Sequence, residues 1–189
     1  SLRHRGDVKE LLNVIGPEYK NKIIFQPCPT IEYIQNKWKS NNKKDKRIFT
    51  AIEVKDDREW RRYYKITKDK YYSKLLKWVQ IKIKNGNELC FLSHDGSMNF
   101  YNYLIEHGIK IKLFRCDTSN EKDIFEKYSK IHTILCHAGH SQMFSYALGI
   151  RVISMITHPK LLYFCEDFDL LEDSVNVNED IDKIFNIEI

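Results

Sequence analysis

An α/β fold on a parallel sheet is the class that this 189-residue sequence predicts, and three observations predict it. Short apolar runs alternate with longer segments whose apolar residues recur at helical spacing, the pattern of right-handed βαβ crossovers. The runs are apolar without interruption, as strands covered on both faces require. Helix start and stop signals fall between the runs, with polar caps before the helical segments and glycine after them.

Taken in order, Asp7 is a good N-cap for a short helix over Val8–Ile15, which Gly16-Pro17 stops. Lys22–Phe25 reads as a short strand, and the two prolines of Gln26-Pro27-Cys28-Pro29 give it an extended exit. The polar stretch Asn41–Lys46 reads as a linker or exposed loop. Ile48–Val54 is a strand, after which Asp56-Asp57 cap a helix of mixed aromatic and basic character. A helix over Tyr72–Ile83 ends near Asn85-Gly86. Then come a strand at Leu89–Ser93, a helix from Gly96 to His107 and a strand at Lys110–Phe114. Ser119 or Asn120 caps the next helix, which carries Ile124, Phe125 and Tyr128. His132–Cys136 is a strand, and Gly139-His140 opens a helix running to Leu148-Gly149. Arg151–Met155 is a strand, and Pro159 stands at a helix N1 position. Val175–Val177 is a last short strand, with Asn178 capping a final helix that bears Ile181, Ile184 and Phe185.

Bulk composition narrows the class. Hydrophobic residues make up 42% and charged residues 30%, an ordinary globular balance. No apolar run approaches the roughly 18–20 residues that a membrane span needs. The chain opens Ser1-Leu2-Arg3 with neither methionine nor apolar leader, and reads as a processed chain or a fragment. The five cysteines show no C-x-x-C spacing, which favours free thiols in a reducing compartment and a cytoplasmic location. The net charge of +5 is concentrated in Lys37–Arg47 and Lys55–Lys84. Tyrosines interleave the second stretch, but without a nucleic-acid motif it reads first as a solvated helix face. There is no P-loop, no dinucleotide-binding glycine fingerprint and no hydrolase elbow.

In open α/β sheets, ligands bind beyond the carboxyl ends of the strands, so the residues following each strand are the candidates. They are Asp56, Asp57 and Arg58; His94 and Asp95; His137, Gly139, His140, Ser141 and Gln142; and Thr157, His158 and Lys160. Four of the seven histidines thus converge on one sheet edge. The segment His137–Gln142 is a strand end followed by glycine and a helix start, where free N–H groups and the helix dipole make an anion site. The plainer alternative is a glycine turn with Ser141 as a cap. Lys160 adds a cation to the rim, and Arg58 could clamp a carboxylate or phosphate. His137 and His140 lack an acidic partner nearby, and their spacing straddles a turn, which argues against a metal site.

These residues resemble the polysaccharide pyruvyl transferase family. The resemblance is carried by Gly139-His140-Ser141-Gln142-Met143, by Ala147-Leu148-Gly149-Ile150-Arg151-Val152-Ile153-Ser154, and by His158-Pro159-Lys160 with Phe164. Three earlier segments extend it: Ser1-Leu2-Arg3, Gln26-Pro27-Cys28-Pro29-Thr30 and Asp57-Arg58. It implies two Rossmann-like lobes of the glycosyltransferase-B type. Residues 1–46 would be the end of the first lobe and a linker, residues 47–189 the C-terminal donor-binding lobe, and most of the first lobe would lie outside this chain. The implied reaction moves a pyruvyl group from phosphoenolpyruvate to a sugar of a surface polysaccharide. No cofactor beyond that donor is implied, and the acceptor would be a saccharide, free or lipid-linked.

Ketal formation needs a general acid for the enol methylene, a role that suits a histidine, and His140 is the expected one. Arg3 resembles an arginine of the family that faces the cleft, and the resemblance implies a catalytic role for it beside His140. Lys160, His158 and Arg58 would hold the anionic groups, with His94, Asp95, Gly139, Ser141 and Gln142 in the same binding site. Where the family commonly carries arginine two residues before that histidine, this sequence has Ala138. Two other readings stay open: a glycosyltransferase using a nucleotide-diphosphate sugar, and a non-catalytic domain that binds a sugar or a protein partner.

Overall fold

The computed structural model describes residues 2–38, 47–55, 65–94, 97–116 and 120–189. Six strands form one all-parallel sheet: β1 Phe49–Ile52, β2 Glu88–Ser93, β3 Lys112–Arg115, β4 Ile131–Cys136, β5 Arg151–Ile156 and β6 Ser174–Asn176. The helices are α1 Arg5–Ile15, α2 Pro29–Trp38, α3 Lys68–Lys84, α4 Asn99–Glu106, α5 Glu121–Tyr128, α6 Gly139–Ala147 and α7 Pro159–Asp167. The strand order is β3-β2-β1-β4-β5-β6. This is a Rossmann-like α/β fold.

The order explains the layers. Crossovers of one hand leave β1 in one direction toward β3 and in the other toward β6, so the two sets of helices must cover opposite faces. On one face, Tyr71, Leu75, Trp78 and Val79 of α3 and Phe100 and Leu104 of α4 pack on Ile52, Leu135 and Ile153. On the other, Phe125, Tyr128, Ala147 and Phe164 of α5, α6 and α7 pack with Ala51, Ile134 and Val152. Neighbouring strand residues such as Ile134 and Leu135 therefore serve different cores, which is why these strands are apolar without alternation. All five cysteines are free, and burial pushes the Cys90 and Cys136 thiols well up.

Thr67 starts α3, its side chain accepting from the Lys70 N–H at 3.3 Å. Tyr71 and Tyr72 are buried in the core, so they are not available to stack on bases. Lys70, Lys77 and Lys84 are exposed on the same helix. Lys82 of that helix is buried, and residues 56–64 of the basic stretch lie outside the described residues. Tyr63 and Tyr64 lie outside the described residues.

The N-terminal region departs most from expectation. α1 begins at Arg5 with His4 at the N-cap position, so Asp7 lies inside the first turn instead of capping it. Lys22–Phe25 is not a sheet strand; Phe25 makes an isolated parallel bridge to Leu2. Helix α2 starts at Pro29, where the sequence reading saw only an extended exit; proline is well suited to helix position N1. The last helix is a 3-10 segment, Ile181–Asn186, preceded by Asp180. Asn178 does not cap it, because its Oδ1 accepts from the Lys65 N–H at 2.7 Å. The helix expected after Asp56-Asp57 lies outside the described residues.

Residues 2–38 dock on the second core. Ile31 and Ile34 of α2 are buried in it, and Trp38 stacks on Phe125 with ring centroids 4.3 Å apart. α1 approaches α7 so closely that a Cβ on Gly6 would overlap the Tyr163 ring. Gly6→Ala is therefore expected to lower the melting temperature and to loosen α1, read as faster amide exchange confined to residues 2–15. An unchanged exchange pattern would show that Tyr163 simply turns aside.

Candidate active site

The direction of chain travel reverses between β1 and β4, and ligands in open sheets sit outside the carboxyl ends at such a point. A pocket of about 270 Å³ opens there. β1 leads into it through Lys55, and β4 through His137, Ala138, Gly139 and His140. β5 contributes His158 and Lys160 at the start of α7. Arg3 and His4 close the remaining side, and Cys28 and Phe164 complete the wall. The Leu2 N–H donates to Ile24 O and the Gln26 N–H to Leu2 O, each at 2.9 Å, which fixes where Arg3 and His4 stand.

Arg3, Lys55, Lys160 and four histidines line this pocket, and no acid does among the described residues. One carboxylate sits beneath the surface at the exit of β4. Glu53, only 4% exposed, leaves β1 and accepts from the N–H groups of His137 and Ala138, both at 3.0 Å. A buried anion of the protein itself therefore occupies the approach to α6. The N–H groups of Gly139, His140 and Ser141, in the first turn, have no acceptor within the helix. They and the helix dipole remain the anion-attracting element.

Gly139 has an ordinary φ, unlike the left-handed Gly16, Gly86, Gly108 and Gly149, so the turn does not require glycine. A Cβ there would meet only Leu161 Cδ2 at 4.0 Å. What glycine preserves is open space against the pocket. Gly139→Ala is thus expected to leave the melting temperature within about 2 °C, equivalent to about 0.5–1 kcal/mol, while weakening sulfate or phosphate binding. Unaltered anion affinity in that variant would remove Gly139 from the site.

His140 is exposed at the rim, and His158 is half-buried. Burial, aided by the charge of Lys160, holds the His158 imidazole below its ordinary pKa. Gln142 is fully buried yet lines the pocket. Its Nε2 donates to Ser154 Oγ, and its Oε1 has no hydrogen-bond partner among the described residues. His137 is buried, with the Tyr71 hydroxyl against its Nε2 and 3.0 Å from its Nδ1.

Of the residues expected at the site, Arg3, Gly139, His140, Gln142, His158 and Lys160 meet in this pocket. Ser141 and His94 do not line it. Ser141 is fully buried beside Tyr128. Burial pushes the Tyr128 hydroxyl well above its ordinary value, with Ser141 acting in the opposite direction, and Ser141 Oγ has no hydrogen-bond partner of normal geometry among the described residues. His94, after β2, hydrogen-bonds the Tyr128 hydroxyl through Nε2 and packs against Phe144. The cleft expected to join His94 with His140 and His158 therefore joins only the latter two. Arg58 and Asp95 lie outside the described residues.

Comparison with family models, with curated proteins and with solved structures gives no match. The site is therefore read from its own chemistry. Among the described residues, no group of three or more His, Cys, Asp or Glu side chains gathers as a metal would need, and no helix is long and apolar enough to cross a membrane.

Four residues at or beneath the pocket went unread in the sequence: Glu53, Lys55, His4 and Asp167. Glu53 had a visible signal, as the lone acid within an apolar strand run. Lys55 immediately follows that run and satisfied the strand-end rule. His4 and Asp167 are distant in sequence and had none.

Proposed function

We propose that this pocket binds a small donor carrying phosphate and carboxylate, and that the chain serves pyruvyl transfer from phosphoenolpyruvate to a sugar of a surface polysaccharide. One observation carries the reading: three cationic side chains and four histidines surround a small pocket that no acid lines among the described residues. At about 270 Å³, the pocket lies just below the usual range of roughly 300–1,000 Å³ for ligand sites. That suits a three-carbon phosphorylated acid better than a nucleotide-diphosphate sugar. Arg3 and Lys55 supply positive charge to the pocket in which Ala138 stands where the resemblance leads one to expect arginine. On this reading the sheet is the donor-binding lobe of a two-lobed transferase.

Thermal-shift titration tests the donor class. Phosphoenolpyruvate at a hundredfold excess over its Kd is expected to stabilise the fold by about 2.7 kcal/mol, and Lys160→Ala to need more ligand for the same shift. Stabilisation by nucleotide sugars and not by phosphoenolpyruvate would overturn the reading. Binding without turnover in the full-length native polypeptide would favour a non-catalytic domain instead.

The pH dependence has a definite sign. His158 is held below its ordinary value in the free protein, so it is mostly neutral near pH 7. A bound anion favours the imidazolium and raises that value. Binding should then take up a proton and strengthen as pH falls below neutrality toward the lowered His158 value. Calorimetry in buffers of different ionisation enthalpy reads the proton directly. Proton release, or affinity that weakens on mild acidification, would contradict this assignment of His158.

A further inference from the structure

Resting on the pocket reading above, we propose that His4 and Asp167 form a proton-transferring dyad, with His4 as the base that accepts the proton of the attacking sugar hydroxyl. Asp167 ends α7 with its side chain only 3% exposed, and its Oδ2 lies 3.2 Å from His4 Nδ1. An ionised carboxylate can only accept, so the proton of a neutral His4 ring belongs on Nδ1. Nε2, on the far side of the ring, keeps its lone pair. Since Nδ1 is committed to Asp167 and His4 lines the pocket, Nε2 is the nitrogen left for a ligand. A histidine oriented by a buried carboxylate, with its second nitrogen toward the substrate, is an arrangement used for general acid–base work.

The surroundings hold this geometry tightly. Asp167 also accepts from the Arg5 N–H, at 3.3 Å and 3.4 Å to its two oxygens, which ties its carboxylate to the first turn of α1. The bridge between Leu2 and Phe25 fixes the backbone just before His4. Phe164 meets the imidazole edge-on, with ring centroids 6.5 Å apart.

Two proton carriers match what the transfer demands. Protonated His140 donates to the methylene carbon of phosphoenolpyruvate, whose double-bond pair becomes the new C–H bond. The sugar oxygen bonds to the central carbon, and its proton passes to His4 Nε2. A second sugar hydroxyl then bonds to that carbon while the C–O bond to phosphate breaks with its electrons. His140, left neutral by the first step, takes that hydroxyl's proton. The departing phosphate carries away the proton held by His4, and both histidines return to their starting states.

The test compares the full-length native polypeptide with Asp167→Asn, His4→Gln and His4→Ala, reading phosphate release from phosphoenolpyruvate with a saccharide acceptor. Asparagine keeps an oxygen for the Arg5 N–H but presents a donor to His4, which moves the ring proton to Nε2. The ¹⁵N spectrum of His4 should report Nδ1–H in the unaltered protein and Nε2–H in Asp167→Asn. In Asp167→Asn and His4→Gln, kcat should fall by about 10²–10⁴-fold while KM for phosphoenolpyruvate changes little. Imidazole should restore part of the activity of His4→Ala. Normal kcat in both substitutions, or an Nε2–H tautomer in the unaltered protein, overturns the dyad and leaves the transfer reading standing. Absence of phosphoenolpyruvate binding and turnover in the unaltered protein overturns both. If Asp167→Asn fails to fold, His4→Gln and the imidazole rescue decide the matter.

Discussion

Replacing Glu53 with alanine is expected to cost the fold about 3 kcal/mol, because two charge-assisted hydrogen bonds are lost at once and their backbone donors stay buried. For a chain of this size that loss corresponds to a fall of roughly 6–12 °C in melting temperature. The carboxylate accepts from the His137 and Ala138 N–H groups at 3.0 Å each, just before α6 begins. It thus joins the exit of β1 to the exit of β4 across the point where the sheet reverses. A small carboxylate such as formate should recover part of the loss in Glu53→Ala by occupying the vacated acceptor position. Glu53→Gln should lose less, since its amide oxygen still accepts one bond. If Glu53→Ala melts with the unaltered protein, the two hydrogen bonds contribute nothing net, and the pocket floor is held by packing alone.

The second large effect concerns activity. His140→Ala in the full-length native polypeptide is expected to reduce turnover by about 10²–10⁴-fold, as removal of a general acid does. Its side chain is exposed at the rim, so the melting temperature should hardly move. Donor binding should persist through Lys160 and the first-turn N–H groups, separating loss of chemistry from loss of the site. Full activity in His140→Ala would assign the proton to another group. Unfolding of the variant would make His140 a packing residue.

The sheet class was readable because it depends on local composition. Every strand of the sheet overlaps an expected strand, from Phe49–Ile52 within Ile48–Val54 to Ser174–Asn176 overlapping Val175–Val177, although the edge strands β3 and β6 carry Lys112, Arg115, Ser174 and Asn176. Gly139 and Pro159 mark two helix starts for the same reason, since they set backbone options within a few residues. Helix α2 was missed because a proline pair reads equally as extended chain or as a helix start, and tertiary burial of Ile31 and Ile34 decides between them.

No acid stands beside the α6 helix start in the local sequence, yet the fold places one there. Glu53 is 84 residues from His137, beyond any local reading of that turn. The strand-end rule was applied one strand at a time, and it says nothing about which ends become neighbours. His94 follows a strand just as His140 does, yet β2 is separated from β4 by β1, and His94 turns to Tyr128.

Periodicity and punctuation in the chain therefore determine the α/β class, the buried free thiols and the gathering of histidines at strand ends, because those follow from residues close in sequence. The strand order, the reversal between β1 and β4, the carboxylate beneath the pocket and the pairing of His4 with Asp167 come from folding alone. Each of these joins residues far apart along the chain, and such contacts are chosen by burial and hydrogen bonding in three dimensions, which local sequence does not encode.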